Sequence, residues 1–366
     1  MTATNPKRIL AIKLADLGDV LITEPALRSL RTAFPDARID ILTTPAASAL
    51  VPLLGDAYNV ITFQKHDFDN PRALLRPGAA LQLAGFGHSL RSARYDAVAI
   101  FHHLTIPAGA LKFRALARAT GAASIAGLDN GRGDFLTHAA VDLGFGARHE
   151  VDYMLDIARQ LGGADVDCRP VLSGWRQSER GHAFALPERY AAIFPTTGPF
   201  APGRNWPAPS FAALATLLKD ADLQPVILGA ADAAAAAQII LKAVPSAIDL
   251  TGQTTVPQLA EIVRNAHATV NGDSFPGHLA NAAGCPVVSI FGPSNYHAWA
   301  PYGATTVDCN EAARAIVVRN HMPCSPCLYT GYRLGRRNGC PVRTCLLAVT
   351  PEDVMSAIEV ATGGKP

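Results

Sequence analysis

Along the first part of the chain, apolar residues gather in short runs that stop at turns, and between those runs they recur every three or four positions, as on one face of a helix. Arg8–Leu14 (RILAIKL) reads as a strand, Ala15–Asp19 as a tight turn, and Val20–Ala33 as a helix with Val20, Leu21, Ala26, Leu27 and Leu30 apolar. Arg38–Thr43, Tyr58–Phe63 and Tyr95–Phe101 read as further strands. The polar stretch Ser173–Gly181 breaks the rhythm and reads as a linker. The pattern then restarts. Arg189–Phe194 and Gln224–Leu228 read as strands around a helix at Ser210–Leu218, and the alanine-rich Asp232–Val244 as a strong helix former. Ala268–Asn271 and Pro286–Phe291 read as buried strands, and Thr350-Pro351-Glu352-Asp353 as the start of a last helix. Strands alternating with helices twice over predict an α/β protein with two parallel sheets: a lobe over residues 1–174, a second over 182–349, and a C-terminal helix over 350–366.

Composition narrows this picture. A chain of 366 residues exceeds the length at which one core usually stops growing, and 49% hydrophobic against 17% charged residues leaves no case for disorder. Lys plus Arg is 32 and Asp plus Glu is 30, a net charge of +2 that excludes a nucleic-acid binder steered by its overall field. No run of 18 apolar residues occurs, and the start, Met1–Arg8, is polar, so a cytoplasmic location is expected. Seven cysteines, an odd number in a long chain, argue against a secreted disulfide framework.

Several places hold candidate chemistry. In an open parallel sheet ligands sit beyond the carboxyl ends of the strands, where Leu17-Gly18-Asp19 falls. Gly18 admits a close approach, and Asp19 is a candidate to take a proton from a hydroxyl or, equally, to cap the following helix. Neither the three-glycine dinucleotide fingerprint nor a P-loop is present there. Asn271–His278 follows a strand and opens a helix over His278–Ala283. Its amides, the Ser274 hydroxyl and the His278 imidazole suit an anion such as a diphosphate, with Asp273 as an acceptor for ribose hydroxyls or a cap; the alternative is a capped buried helix with His278 satisfied in the core. The same string imitates a hydrolase nucleophile elbow around Ser274, with Pro276 in place of the second Gly. Thr196 and Thr197 lie in a loop after a strand, and Arg204 nearby suits a phosphate or solvent. Cys324-x2-Cys327-x12-Cys340-x4-Cys345 is open to a structural zinc, to free thiols or to reversible oxidation. Arg314, Arg319, Arg333, Arg336, Arg337 and Arg343 make this region a local basic patch, open to anionic lipid, a phosphorylated glycan or solvent. The pairs Asp67/Asp69 and Asp165/Asp167 imitate a metal-binding Asp-x-Asp and are assigned to surface loops.

Taken in order, Arg8–Leu30, Asp249–Gly252, Asp273–Ala280 (DSFPGHLA), Pro286–Pro293 (PVVSIFGP), Trp299–Gly303, His149–Tyr153, Cys324–Cys327 and Thr350–Glu352 resemble glycosyltransferase family 9, the ADP-heptose:lipopolysaccharide heptosyltransferases. The resemblance implies the GT-B arrangement, two Rossmann-like lobes with parallel sheets facing a central cleft, acceptor on the first and nucleotide sugar on the second. It implies an inverting transfer with no required cofactor or metal, from an ADP-sugar to a lipid-linked or envelope glycan, with peripheral contact at the inner membrane face and no nucleic-acid partner. By motif, Asp19 becomes the general base. Gly18, Thr196, Thr197, Arg204 (where the family usually has Lys), Asp273, Ser274, Gly277 and His278 become substrate-binding residues, and Asp232 meets the nucleoside. Phe275 stands where the family normally has Gly, and Ile22 and Glu24 replace the usual His and Leu. The rival readings are a serine hydrolase using Ser274 and a catalytically silent nucleotide- or glycan-binding protein.

Overall fold

In the computed structural model, which describes residues 5–64, 78–175, 184–306 and 313–364, the first sheet is made of β1 (Arg8–Lys13), β2 (Arg38–Thr43), β3 (Tyr58–Thr62), β4 (Ala97–Ile100), β5 (Ser124–Asp129) and β6 (His138–Val141). All pairings are parallel, in the order β3-β2-β1-β4-β5-β6. Strand order reverses between β1 and β4, the switch point where doubly wound sheets open a crevice. β1, β2 and β4 are almost wholly buried, which their near-continuous apolar character requires of strands covered on both faces. Leu10, Ile12, Leu42, Val98 and Ile100 pack with Phe113 and Leu116 of the helix Pro107–Thr120.

The second sheet holds β7 (Tyr190–Phe194), β8 (Gln224–Ile227), β9 (Ile248–Asp249), β10 (Ala268–Gly272), β11 (Val287–Phe291), β12 (Thr305–Thr306) and β13 (Ala315–Arg319). It too is parallel, ordered β12-β13-β11-β10-β7-β8-β9, and its switch point lies between β7 and β10. A short antiparallel hairpin, β14 (Leu328–Thr330) with β15 (Arg333–Gly335), stands apart from the sheet. Ile193, Val270, Val288 and Ile290 pack with Phe211, Leu214 and Leu218 of the helix Ala208–Asp220. The last helix, Pro351–Thr362, starts with a reciprocal Thr350/Asp353 capping box and places Val354, Ala357, Ile358 and Ala361 in the same core.

By the density of its contacts the chain divides into a first unit of Met1–Gly144, Glu150–Cys168 and Leu172–Trp175 and a second of Phe145–His149, Arg169–Val171 and Arg176–Pro366. Among the described residues no helix is long and apolar enough to cross a membrane.

Local departures from the sequence reading have local causes. The helix expected over Val20–Ala33 is two helices, Leu17–Leu21 and Glu24–Ala33. The Thr23 amide donates to the Val20 carbonyl at 3.1 Å while its Oγ1 donates to the Asp19 carbonyl at 2.8 Å, and Pro25, lacking an N–H, has nothing to donate to the Leu21 carbonyl. Gly18 and Asp19 therefore lie in the first helical turn and not in the loop before it. The alanine-rich helix begins as a 3-10 turn at Ala231–Ala233 before Ala234–Ala243, and the helix expected from His278 already starts at Phe275. Asp165 and Asp167 are exposed in a loop, as expected, whereas Asp67 and Asp69 and part of the linker at Ser173–Gly181 fall outside the described residues.

Candidate active site

In the first unit, β1 ends at Lys13 and the chain turns into the helix carrying Gly18 and Asp19, on the carboxyl edge beside the switch point. Asp16 occupies the N-cap position, and Asp19 does not cap. Its carboxylate instead lies 3.5 Å from Lys13 Nζ, with Lys13 4% and Asp19 29% exposed. A buried ammonium needs such a partner, so the pair holds one carboxylate oxygen in place while leaving the group open to a ligand. Just past β1, the Leu14 amide donates to His102 Nε2 at 2.7 Å.

Directly after His102 begins a network that sequence reasoning missed. His103 bonds Asp142 Oδ1 through Nδ1 at 2.9 Å and both Glu150 carboxylate oxygens through Nε2 at 3.1 Å, with all three side chains buried. Burial by itself would lower the His103 pKa. The Glu150 charge and the hydrogen bonds to Asp142 and Glu150 outweigh that and raise it to about 9. Burial likewise opposes ionisation of Asp142, but the His103 hydrogen bond and charge hold it below the usual carboxylate range. Asp142 also accepts from the Gly144 amide and from Asn130, tying the ends of β4, β5 and β6 together. The only sequence signal was a His-His pair directly after a buried strand.

In the second unit the predicted donor residues gather at the β7/β10 switch point. Thr196 and Thr197 follow β7, and Asp273 follows β10. Thr197 donates through both its amide (2.8 Å) and its hydroxyl (2.7 Å) to Asn205 Oδ1, which folds the loop back on itself. Arg204, in a 3-10 turn, donates to Asp273 Oδ2 at 3.1 Å and to the Thr197 carbonyl at 3.2 Å, so it bridges the two sides of the crevice. Gly272 permits the approach of these loops, since a Cβ there would lie 2.6 Å from Thr197 Cγ2. Gly229, ending the next strand, has φ +143°, and a Cβ on it would sit 3.9 Å from Thr196 Oγ1. Asp232 is exposed just beyond it.

The helix Phe275–Ala283 opens at this crevice with Ser274 at its N-cap position, yet the Ser274 hydroxyl donates to the Gly272 carbonyl (3.2 Å) and does not cap. Pro276 has no N–H and the Gly277 amide donates to the Ser274 carbonyl at 3.1 Å, so the donor that the helix start offers an anionic ligand is the Phe275 amide. His278 is 7% exposed one turn on. Gly277 lets the helix lie against β10 and β11. A Cβ there would fall 2.6 Å from Asn271 Nδ2 and 2.9 Å from Ser289 Oγ, so Gly277→Ala is expected to cost about 1–3 kcal/mol of stability, read by chemical denaturation. The nucleophile-elbow reading of Ser274 fails here. Its backbone, φ −164° and ψ 169°, is extended and unstrained, whereas the elbow depends on a sharp strained turn.

Farther along, Phe200 with Pro199 and residues Arg336–Gly339 lines a pocket of about 530 Å³, where Arg337 stacks on the Phe200 ring at 5.0 Å. The four late cysteines flank Arg336–Gly339 on both sides in the chain. Burial pushes the Cys327 and Cys345 thiols up, with the neighbouring sulfurs adding to it, while the Arg343 amide pulls Cys340 down. Among the described residues, no three His, Cys, Asp or Glu side chains are already gathered to hold a metal.

The chain is similar in sequence and in fold to known proteins. Residues 83–335 match the profile of glycosyltransferase family 9 (heptosyltransferase). The chain is 26% identical over 301 residues to lipopolysaccharide heptosyltransferase 3 of Escherichia coli K12, covering 78% of this chain and 82% of that protein. Its fold matches the E. coli ADP-heptose LPS heptosyltransferase II structure with a TM-score of 0.71 at 21% identity, over 97% of this chain and 98% of that one. It also matches an E. coli heptosyltransferase solved with ADP-2-deoxy-2-fluoro heptose, with a TM-score of 0.67 at 18% identity, over 90% and 96% of the two chains.

Proposed function

Because the chain belongs to glycosyltransferase family 9 and is a glycosyltransferase, we propose that it moves heptose from ADP-heptose onto a lipopolysaccharide-type acceptor by an inverting displacement that needs no metal. The observation that carries this reading is the β7/β10 crevice, where Thr196, Thr197, Asp273 and the open start of the helix Phe275–Ala283 converge.

Asp19 of the first unit accepts the proton of the acceptor hydroxyl as that oxygen attacks the sugar C1, and Lys13 holds the carboxylate in its receiving position. On the opposite face of C1 the bond to the diphosphate breaks. Positive charge builds on the sugar ring and negative charge on the departing ADP. The leaving group is met by the Phe275 amide at the helix start, by the Ser274 hydroxyl once it turns from the Gly272 carbonyl, and by His278. Arg204, engaged with Asp273 and Thr197, orients the crevice and keeps a cation beside it. Asp273 receives ribose hydroxyls, and Asp232 meets the nucleoside. The exposed arginines of the second unit suit an anionic acceptor or the inner membrane face.

Calorimetric titration with ADP, UDP and GDP tests the reading. ADP is expected to bind at least about tenfold more tightly, a difference of about 1.4 kcal/mol. Equal affinity for all three would remove the ADP-sugar assignment. ADP binding without product from any glycan acceptor would favour a silent binding protein.

A further inference from the structure

The loop that follows β7 serves two places in the second unit. Its base, with Thr197 and Arg204, lines the β7/β10 crevice, and its tip, Pro199 and Phe200, lines the pocket of about 530 Å³ shared with Arg336–Gly339. Both walls of that pocket are fixed by backbone contacts. Residues Arg336–Gly339 form one turn, closed by the Gly339 amide donating to the Arg336 carbonyl at 2.9 Å. The Gly203 amide donates to the Arg337 carbonyl at 3.0 Å, and a Cβ on Gly203 would overlap the Gly339 backbone, so turn and loop are packed directly on each other.

The lining is chemically one-sided. Arg336 and Arg337 both face the pocket, and neither residues 196–219 nor residues 313–351, the segments that build it, contain an acid. Two guanidinium groups in one pocket repel each other, and an anion beside both relieves that repulsion. Arg337 lies over the Phe200 ring, 5.0 Å from its centroid, which holds its planar fork in one orientation. Phe200 is still 42% exposed, so apolar ring surface is left for a ligand.

We propose that this pocket binds a phosphomonoester carried on a sugar of the acceptor glycan, with Arg336 and Arg337 on the phosphate and the sugar ring against Phe200. The acceptor assignment rests on the transferase reading above, whereas the binding of a sugar phosphate does not. A phosphomonoester carries about two negative charges at neutral pH, which two guanidinium groups match and a single carboxylate does not. The volume falls within the range of small-ligand sites. A nucleotide fits the pocket less well, because ribose hydroxyls need an acceptor such as Asp273 supplies in the crevice and this lining has no carboxylate. Since one loop carries both Thr197 and Phe200, a phosphate held at its tip tethers the acceptor beside the donor seat.

The test titrates the full chain with glucose 6-phosphate, glucose, glucuronate and inorganic phosphate, with and without saturating ADP, by calorimetry. Glucose 6-phosphate is expected to bind at least about tenfold more tightly than glucose or glucuronate, equally with and without ADP. Arg336→Gln and Arg337→Gln, at exposed positions, should each weaken it about tenfold or more at an unaltered melting temperature. Phe200→Ala should weaken glucose 6-phosphate about fivefold and leave inorganic phosphate within about twofold. In the transfer assay, a lipopolysaccharide-type acceptor should show a KM about tenfold lower before phosphatase treatment than after, a preference that both arginine variants lose. Glucose 6-phosphate that binds no more tightly than glucose, or equally well in both arginine variants, overturns the pocket. Displacement by ADP puts the sugar phosphate in the crevice and overturns it too. Glucuronate binding as tightly overturns the choice of phosphate, and equal losses for both ligands in Phe200→Ala overturn the place of the sugar. Binding that stands while transfer is indifferent to phosphatase overturns the acceptor assignment alone. A chain without affinity for ADP removes the transferase reading and leaves the titration to judge the pocket.

Discussion

Asp19→Asn is expected to lower the turnover number for sugar transfer by about 10²- to 10⁴-fold while leaving ADP affinity unchanged. The substitution keeps the size of the side chain and an oxygen for Lys13 Nζ, now 3.5 Å from a carboxylate, but removes the capacity to accept a proton. On the proposed reading ADP binds in the crevice of the second unit, which Asp19 does not build. Steady-state kinetics paired with ADP calorimetry on the same preparation reads both effects. A variant that keeps more than about a tenth of the wild-type turnover would remove Asp19 from the role of base. Loss of ADP binding alongside turnover would mean that the substitution acts on the fold.

His103→Leu is expected to destabilise the protein by about 3–5 kcal/mol, because it leaves Asp142 and Glu150 buried without their shared cation. The same network sets a pH dependence. The folded His103 pKa, about 9, lies above the unfolded value of about 6.5, so its contribution is complete below about pH 6.5 and fades as pH rises through about 9. Asp142, held below its ordinary value, acts in the other direction. Its contribution is complete above that ordinary value and fades as pH falls through the folded one. Urea denaturation from pH 4 to 10 should therefore show a fall above neutrality that His103→Leu abolishes. An unaltered alkaline limb in the variant would assign that loss to other groups.

Much of this was legible in the chain because its physical causes are local. The buried strands β1, β2, β7, β10 and β11 read directly from short apolar runs, since parallel strands covered on both faces have no polar alternation to obscure them. The motif residues Thr196, Thr197, Arg204, Asp273 and Gly277 converge because each follows or flanks a strand of the same sheet. Less visible were β5, β6 and β13, whose strand character depends on neighbours distant in sequence. His103 escaped notice because its partners come 39 and 47 residues later, beyond any spacing rule. That Asp19 does not cap its helix emerged only from its place within the first turn, with its side chain beside Lys13; its role as base stays a proposal.

The helix Pro351–Thr362 bears on the order in which the two units form during synthesis. The first unit has its last core helix, Glu150–Gln160, packed on the helix Glu24–Ala33, so it can mature while the ribosome is still translating the second half of the chain. The second must wait. Until Val354, Ala357 and Ile358 emerge, β11 and β13 lack their covering layer and Trp206 Nε1 lacks its acceptor, the Val349 carbonyl at 3.1 Å. A nascent chain stalled before residue 351 would expose an uncovered sheet face, the kind of surface that chaperones bind.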